Sequence, residues 1–121
     1  MFIRDISTSE EIIAGDNCML KELFNPLKDK DLDLRYSLSV ARVQPGGETY
    51  LHRLKSSEVY FLLKGTAEVY IDDDVGVVGA GQAFYVPPGA AQRVKNVGAD
   101  ELLFACIVDP AWKAEDEEMI V

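Results

Sequence analysis

The chain has 121 residues, 21 of them acidic against 12 basic for a formal net charge of −9, with one histidine, two cysteines and 48% hydrophobic residues. That length holds one core rather than two, and the acidic excess argues against a nucleic-acid partner, because no basic stripe is present to displace counterions. No apolar run approaches the roughly 20 residues of a spanning helix, and the opening MFIRDISTSEE lacks the basic end and long apolar middle of a signal peptide, so a cytoplasmic, membrane-free protein is expected.

In chain order, Phe2-Ile3-Arg4-Asp5-Ile6 predicts a short edge strand, and Ser7 with Glu10, or Thr8 with Glu11, offers a capping box for a single helical turn that Gly15-Asp16-Asn17 ends. Cys18 to Phe24 predicts a strand stopped by Asn25-Pro26, and the alternating charges of 28–33 an exposed loop. From Leu34 the alternation sets Leu34, Tyr36, Leu38 and Val40 on one face and Arg35, Ser37 and Ser39 on the other, as in a half-buried strand. Arg42 continues the first face: it reaches the interior to hold an anionic group, or a β-bulge before Pro45 turns it to solvent.

After the Gln44-Pro45-Gly46-Gly47 turn, Glu48, Tyr50, His52 and Leu54 share a strand face, and beyond Lys55-Ser56-Ser57 so do Glu58, Tyr60 and Leu62. A hairpin of these two strands would bring imidazole and carboxylate together. Thr66 to Ile71 and Val75 to Val78 predict strands around Asp72-Asp73-Asp74, a turn that lacks the glycine and distal glutamate spacing of an EF-hand loop. Gln82 to Val86 enters Pro87-Pro88-Gly89, where two prolines exclude helix and ladder donors. In the next strand Arg93 and Lys95 belong in solvent, which directs Gln92 inward. Glu101 to Val108 is a near-continuous apolar strand in which Cys106 reads as core; Cys18 and Cys106 form no CxxC and read as reduced. The acidic run 115–118 reads as solvated surface, and Trp112, Met119 and Ile120 as packing on the barrel or on a second subunit. Short strands between turn residues predict an all-β barrel or sandwich.

Two segments carry a more specific pattern. Gly46, His52, Glu58 and Gly65, followed by Gly81, Pro87, Gly89 and Asn96, match eight of ten fixed positions of G-x5-H-x-H-x3-E-x6-G and G-x5-P-x-G-x2-H-x3-N. In this the chain resembles the cupin superfamily. The resemblance implies an all-β double-stranded β-helix, a jelly-roll barrel over about 34–108, in a single domain with an N-terminal extension 1–33 carrying the helical turn and an acidic tail 109–121. Cupins commonly pair, so a homodimer is expected.

Cupin metal centres use two histidines and a glutamate from the first motif and a histidine from the second; here those positions read His52, Leu54, Glu58 and Gln92. Leucine cannot ligate and an amide oxygen is a weak ligand. The implied metal set is His52, Glu58 and Gln92 around one divalent ion (Fe, Mn, Ni or Zn), completed by water, substrate or Tyr50. Gln92 reads equally as a group hydrogen-bonding a substrate. Tyr36, Tyr50, Tyr60, Phe84 and Tyr85 are candidates to line the cavity, against plain core packing. Three functions are consistent with this: a small cupin binding a carbohydrate or carboxylate-like metabolite at His52, Glu58, Gln92, Tyr50, Arg42, Tyr36 and Tyr85; a metal-dependent dioxygenase; or a metal-free sugar isomerase or epimerase in which His52 or Glu58 abstracts a proton and a tyrosine such as Tyr60 returns it.

Overall fold

The computed structural model of the chain describes residues 1–120. Among these, the strands are β1 (Ile12–Ile13), β2 (Met19–Phe24), β3 (Ser37–Val43), β4 (His52–Leu54), β5 (Ser57–Lys64), β6 (Thr66–Ile71), β7 (Asp74–Gly79), β8 (Ala83–Val86), β9 (Gln92–Asn96), β10 (Leu102–Asp109) and β11 (Glu117–Met119), with 3₁₀ turns at Ile6–Thr8 and Ala114–Asp116. They form two antiparallel sheets, β1-β2-β3-β10-β5-β8 and β11-β4-β9-β6-β7, the jelly-roll arrangement expected. No helix among the described residues is long and apolar enough to cross a membrane.

Alternation does most of the positioning. Along β5, Glu58, Tyr60 and Leu62 are buried while Val59, Phe61 and Leu63 face out; along β10, Leu102, Phe104, Cys106 and Val108 are buried. The core joins these to Val69, Val86 and Val94 from other strands, and a fully buried residue such as Leu62 stabilises the fold by roughly 1.5–3 kcal/mol. Gly65 allows the chain to pass from β5 in one sheet to β6 in the other: its φ is +91°, and a Cβ there would lie 3.0 Å from the Glu101 carbonyl oxygen.

Several sequence expectations change here. On β3 the faces are inverted: Ser37, Ser39, Ala41 and Val43 point inward, and Leu38, Val40 and Arg42 lie on the other face. Small inward residues leave room for a cavity, which the hydropathy pattern alone does not express. β4 and β5 do not form a hairpin. Lys55-Ser56 carries the chain between sheets, β4 pairing with β9 and β11 while β5 pairs with β8 and β10, and the corner is tied down by the buried Ser56 hydroxyl donating to the Pro110 carbonyl at 2.7 Å. Residues 2–6 are not a strand; Phe2 packs edge-on against Phe24, and the 3₁₀ turn is capped by Asp5, which accepts from the Ser7 amide. The two-residue β1 and three-residue β11 are too short to carry a periodic signal.

Candidate functional site

A cavity of about 210 Å³ lies between the sheets, closed on one side by β1 and the β1–β2 turn and on another by β11. His52, at the start of β4, reaches it with 2% of its surface exposed. Its Nδ1 lies 2.7 Å from the Tyr50 carbonyl oxygen. A carbonyl can only accept, so Nδ1 carries a proton, and in the neutral ring Nε2 presents its lone pair. Nε2 makes no hydrogen bond among the described residues and stands 3.6 Å from Asp16 Oδ2.

Glu58 faces His52 from the opposite sheet and lines the same cavity. Burial pushes its carboxyl above the ordinary range; the Gln92 hydrogen bond and then the nearby His52 pull the other way, and Asp16 and Glu117 add to the rise. Gln92, 1% exposed, is not on the cavity wall. Its Nε2 donates to Glu58 Oε2, and its Oε1 accepts the Tyr60 hydroxyl at 2.9 Å. Tyr60 is wedged between Phe84, stacked at 4.6 Å, and Phe104, at 5.1 Å. Burial, then the neighbouring Glu58, raises its phenol well above the usual value. Gln92 is thus a clamp that orients Glu58 and Tyr60 from behind the cavity wall.

Tyr36, Tyr50 and Tyr85, expected at the cavity, are 39%, 56% and 57% exposed and do not line it. Tyr50 contributes its backbone carbonyl instead. Tyr85 sits on the outward phase of β8, and Tyr36 precedes β3. Arg42, on the outward phase of β3, is held by Glu11 and Glu101; no bulge is needed to turn it away, because the strand's inward phase falls on the serines. Phe84 meets Tyr60 from behind rather than facing the cavity.

Three residues at the cavity were not singled out as ligand groups. Asp16 reads in sequence as part of a turn, yet it is 8% exposed, accepts from the Cys18 amide and thiol, and its carbonyl takes the Tyr50 amide at 2.8 Å. Glu117 reads as solvated tail, yet β11 pairs with β4 and sets its carboxylate on the wall, with Trp112 Nε1 at 3.4 Å; burial, then Asp16, raises its carboxyl. Cys18 is buried beside them. Gly15 leaves room for this wall: a Cβ there would meet Glu117 Oε1 at 2.7 Å.

The expected metal set does not fit. Of His52, Glu58 and Gln92, the glutamine amide is spent on Tyr60 and Glu58 and lies off the cavity wall. Among the described residues no group of three His, Cys, Asp or Glu side chains is placed to hold an ion together.

Comparison with known proteins agrees with the fold. The family model described as a cupin domain matches residues 39–108. An uncharacterized protein of Methanocaldococcus jannaschii is 30% identical over 109 residues, 89% of this chain and 86% of the relative. A mannose-1-phosphate guanylyltransferase of Sinorhizobium fredii is 36% identical over 84 residues, 69% of this chain but 16% of the enzyme's length. Among solved structures, a Cupin 2 conserved barrel domain protein from Salinispora arenicola superposes with a TM-score of 0.76 at 22% identity, covering 95% of this chain and 91% of that one, a likeness of fold alone. With its paired glycine-bounded motifs, jelly-roll sheets and family-model match, the chain belongs to the cupin domain family.

Proposed function

We propose that this chain is a small-molecule-binding cupin that holds a polar ligand in the cavity between its sheets, with His52 as the central contact and Glu58 as a second. The observation that carries this reading is the buried imidazole whose Nε2, 3.6 Å from Asp16 Oδ2 and with no hydrogen bond among the described residues, opens onto a cavity of about 210 Å³. A polar atom that opens into a cavity is a ready contact for a ligand. At roughly 30 Å³ per water the space equals about seven waters, the scale of a small metabolite. Of the two ligand classes expected from sequence, hydroxyl-bearing molecules suit these acceptors, whereas a carboxylate would meet Asp16, Glu58 and Glu117. The test is a thermal-shift screen of small polar metabolites against the wild type and His52→Ala. Ligands should raise the wild-type melting temperature and leave that of His52→Ala unmoved; equal shifts in both would put the ligand elsewhere.

Metal-free acid–base chemistry is a second reading, supported by the fixed tautomer of His52. Nε2 is available to take a proton, and Glu58, with its raised carboxyl, to give one. Tyr60, committed to Gln92, does not suit the acid role. Deuterium incorporation α to the carbonyl of a ketose in heavy water, lost in both His52→Ala and Glu58→Gln, would mark catalysis; no incorporation leaves binding alone.

The partner reading is a second copy of the chain. Val59, Phe61, Tyr85 and Ile107 are 40%, 43%, 57% and 39% exposed, and strand register sets Val59 beside both Ile107 and Tyr85. This uncharged strip on a chain of net charge −9 suits self-association across the outer sheet. Trp112, read as packing on the barrel or on a second subunit, packs on the chain's own core. A monomeric mass in solution by light scattering would reject the dimer.

A further inference from the structure

We infer that the ligand of this cavity carries a primary ammonium group, received by Asp16, Glu117 and His52 Nε2. The inference rests on the reading that the cavity binds a small molecule and adds the charge of that molecule. Asp16 and Glu117 lie outside the matched segment 39–108: one comes from the β1–β2 turn and the other from β11, so this end of the cavity is built by the chain's extensions.

The charges on the wall are unbalanced. Asp16, Glu58 and Glu117 face one imidazole, and the lysine at the cavity, Lys28, is spent on Glu22 at 2.7 Å with 61% of its side chain exposed. Buried like charges repel strongly unless a cation or donor joins them. Independently, His52 is 97% hidden at its side chain, yet its Nε2 lone pair faces Asp16 Oδ2 at 3.6 Å with no proton between them other than one a ligand brings, or one His52 itself acquires. Two acceptors at that separation are bridged by a group with several N–H donors. An ammonium has three, one each for Asp16, Glu117 and the imidazole.

The rest of the cavity selects an organic amine over a bare ion. Its remaining walls include Ile13, Leu20, Phe104, Val108 and Trp112, which suit a short carbon body. The described acids and the imidazole do not form a three-donor ion site. Gly15 keeps room for Glu117, since any Cβ would force its carboxylate aside.

The test uses the full chain and matched ligand triplets, butyl, hexyl and benzyl, each as amine, alcohol and carboxylate, by calorimetry near neutral pH. At least one amine should bind about tenfold or more tighter than its alcohol, with no carboxylate binding. Asp16→Asn should weaken the amine about ten- to a hundredfold. Because Asp16 also supports Cys18, Glu117→Gln, which keeps an acceptor for Trp112, serves as the second variant and should lose amine affinity in the same sense. Alcohols binding as well as amines, or either variant, when folded, binding amines like the wild type, would overturn the ammonium and leave the cavity reading standing. Binding of manganese or zinc ions alone at one per chain, with amines silent, would also overturn it. No ligand of any class, amines included, would overturn both.

Discussion

Replacing Gln92 with leucine keeps much of the side chain's volume and removes both hydrogen bonds of the amide, one from the Tyr60 hydroxyl and one to Glu58. Stranding the buried phenol costs about 1–3 kcal/mol, and losing the charge-assisted bond to the carboxylate about 1.5–3 kcal/mol. Part of this is offset by the easier burial of leucine, so a net loss of about 2–5 kcal/mol is expected. With a urea slope of about 2 kcal/mol/M, the unfolding midpoint should fall by roughly 1–3 M. The cost should also depend on pH. The Gln92 bond lowers the Glu58 carboxyl and so favours its ionised form; its loss raises that carboxyl further, and the penalty grows as pH rises and is smallest below the ordinary carboxylate value, where the protonated form dominates with or without the bond. A double-mutant cycle isolates the clamp: Tyr60→Phe should cost about 1 kcal/mol in the wild type and almost nothing beside Gln92→Leu. Equal costs of Tyr60→Phe in both backgrounds, or a Gln92→Leu midpoint unchanged at every pH, would refute the clamp.

Glu58→Gln probes the same carboxyl from its own side. The folded-state value lies above the ordinary 4.5, so the stability this group contributes is complete below that value and is lost as pH rises through the folded one. Glu58→Gln should therefore lose less stability than the wild type between mild acid and pH near 8, a comparison made by urea titration; parallel pH profiles would contradict the burial argument. Burial raises the thiols of both Cys18 and Cys106, and an aromatic disulfide reagent should label neither in the folded protein and both in denaturant. Rapid labelling of the native chain would mean the site opens. Leu62→Ala, at a position with no exposed surface, should cost about 2–5 kcal/mol by chemical denaturation, and a loss below about 1 kcal/mol would mean that the core there collapses to fill the gap. Arg42→Met should leave cavity ligands unaffected and cause only a salt-screened change in stability, because its partners Glu11 and Glu101 lie on the outer face; a loss of ligand binding would return Arg42 to the site.

Legibility in the sequence followed the length and strength of each local pattern. The alternation of 58–62 and 92–95 set Glu58, Tyr60 and Gln92 inward, as the strands have them. The same reasoning inverted β3, because Leu38 and Val40 outweigh Ser37 and Ser39 in hydropathy while the serines line the cavity. Tyr50, Tyr36 and Tyr85 looked like cavity residues because aromatics commonly line pockets; Tyr85 lies on the outward phase of β8, and Tyr36 and Tyr50 sit outside the strands, where alternation does not hold. Asp16 and Glu117 had no signal of their own beyond belonging to a turn and an acidic run.

The amino-acid sequence determined that the chain is a cupin, that His52 and Glu58 face the interior, and that glycines such as Gly65 take the turns, since each of these depends on residue type at short, regular spacing. Tertiary structure alone decided that β4 and β5 part into opposite sheets, that Gln92 is spent on Tyr60 and Glu58, and that Asp16 and Glu117 close on His52 from both ends of the chain. These are meetings of distant segments, and a meeting of that kind depends on how whole sheets pack, which no short window of residues encodes.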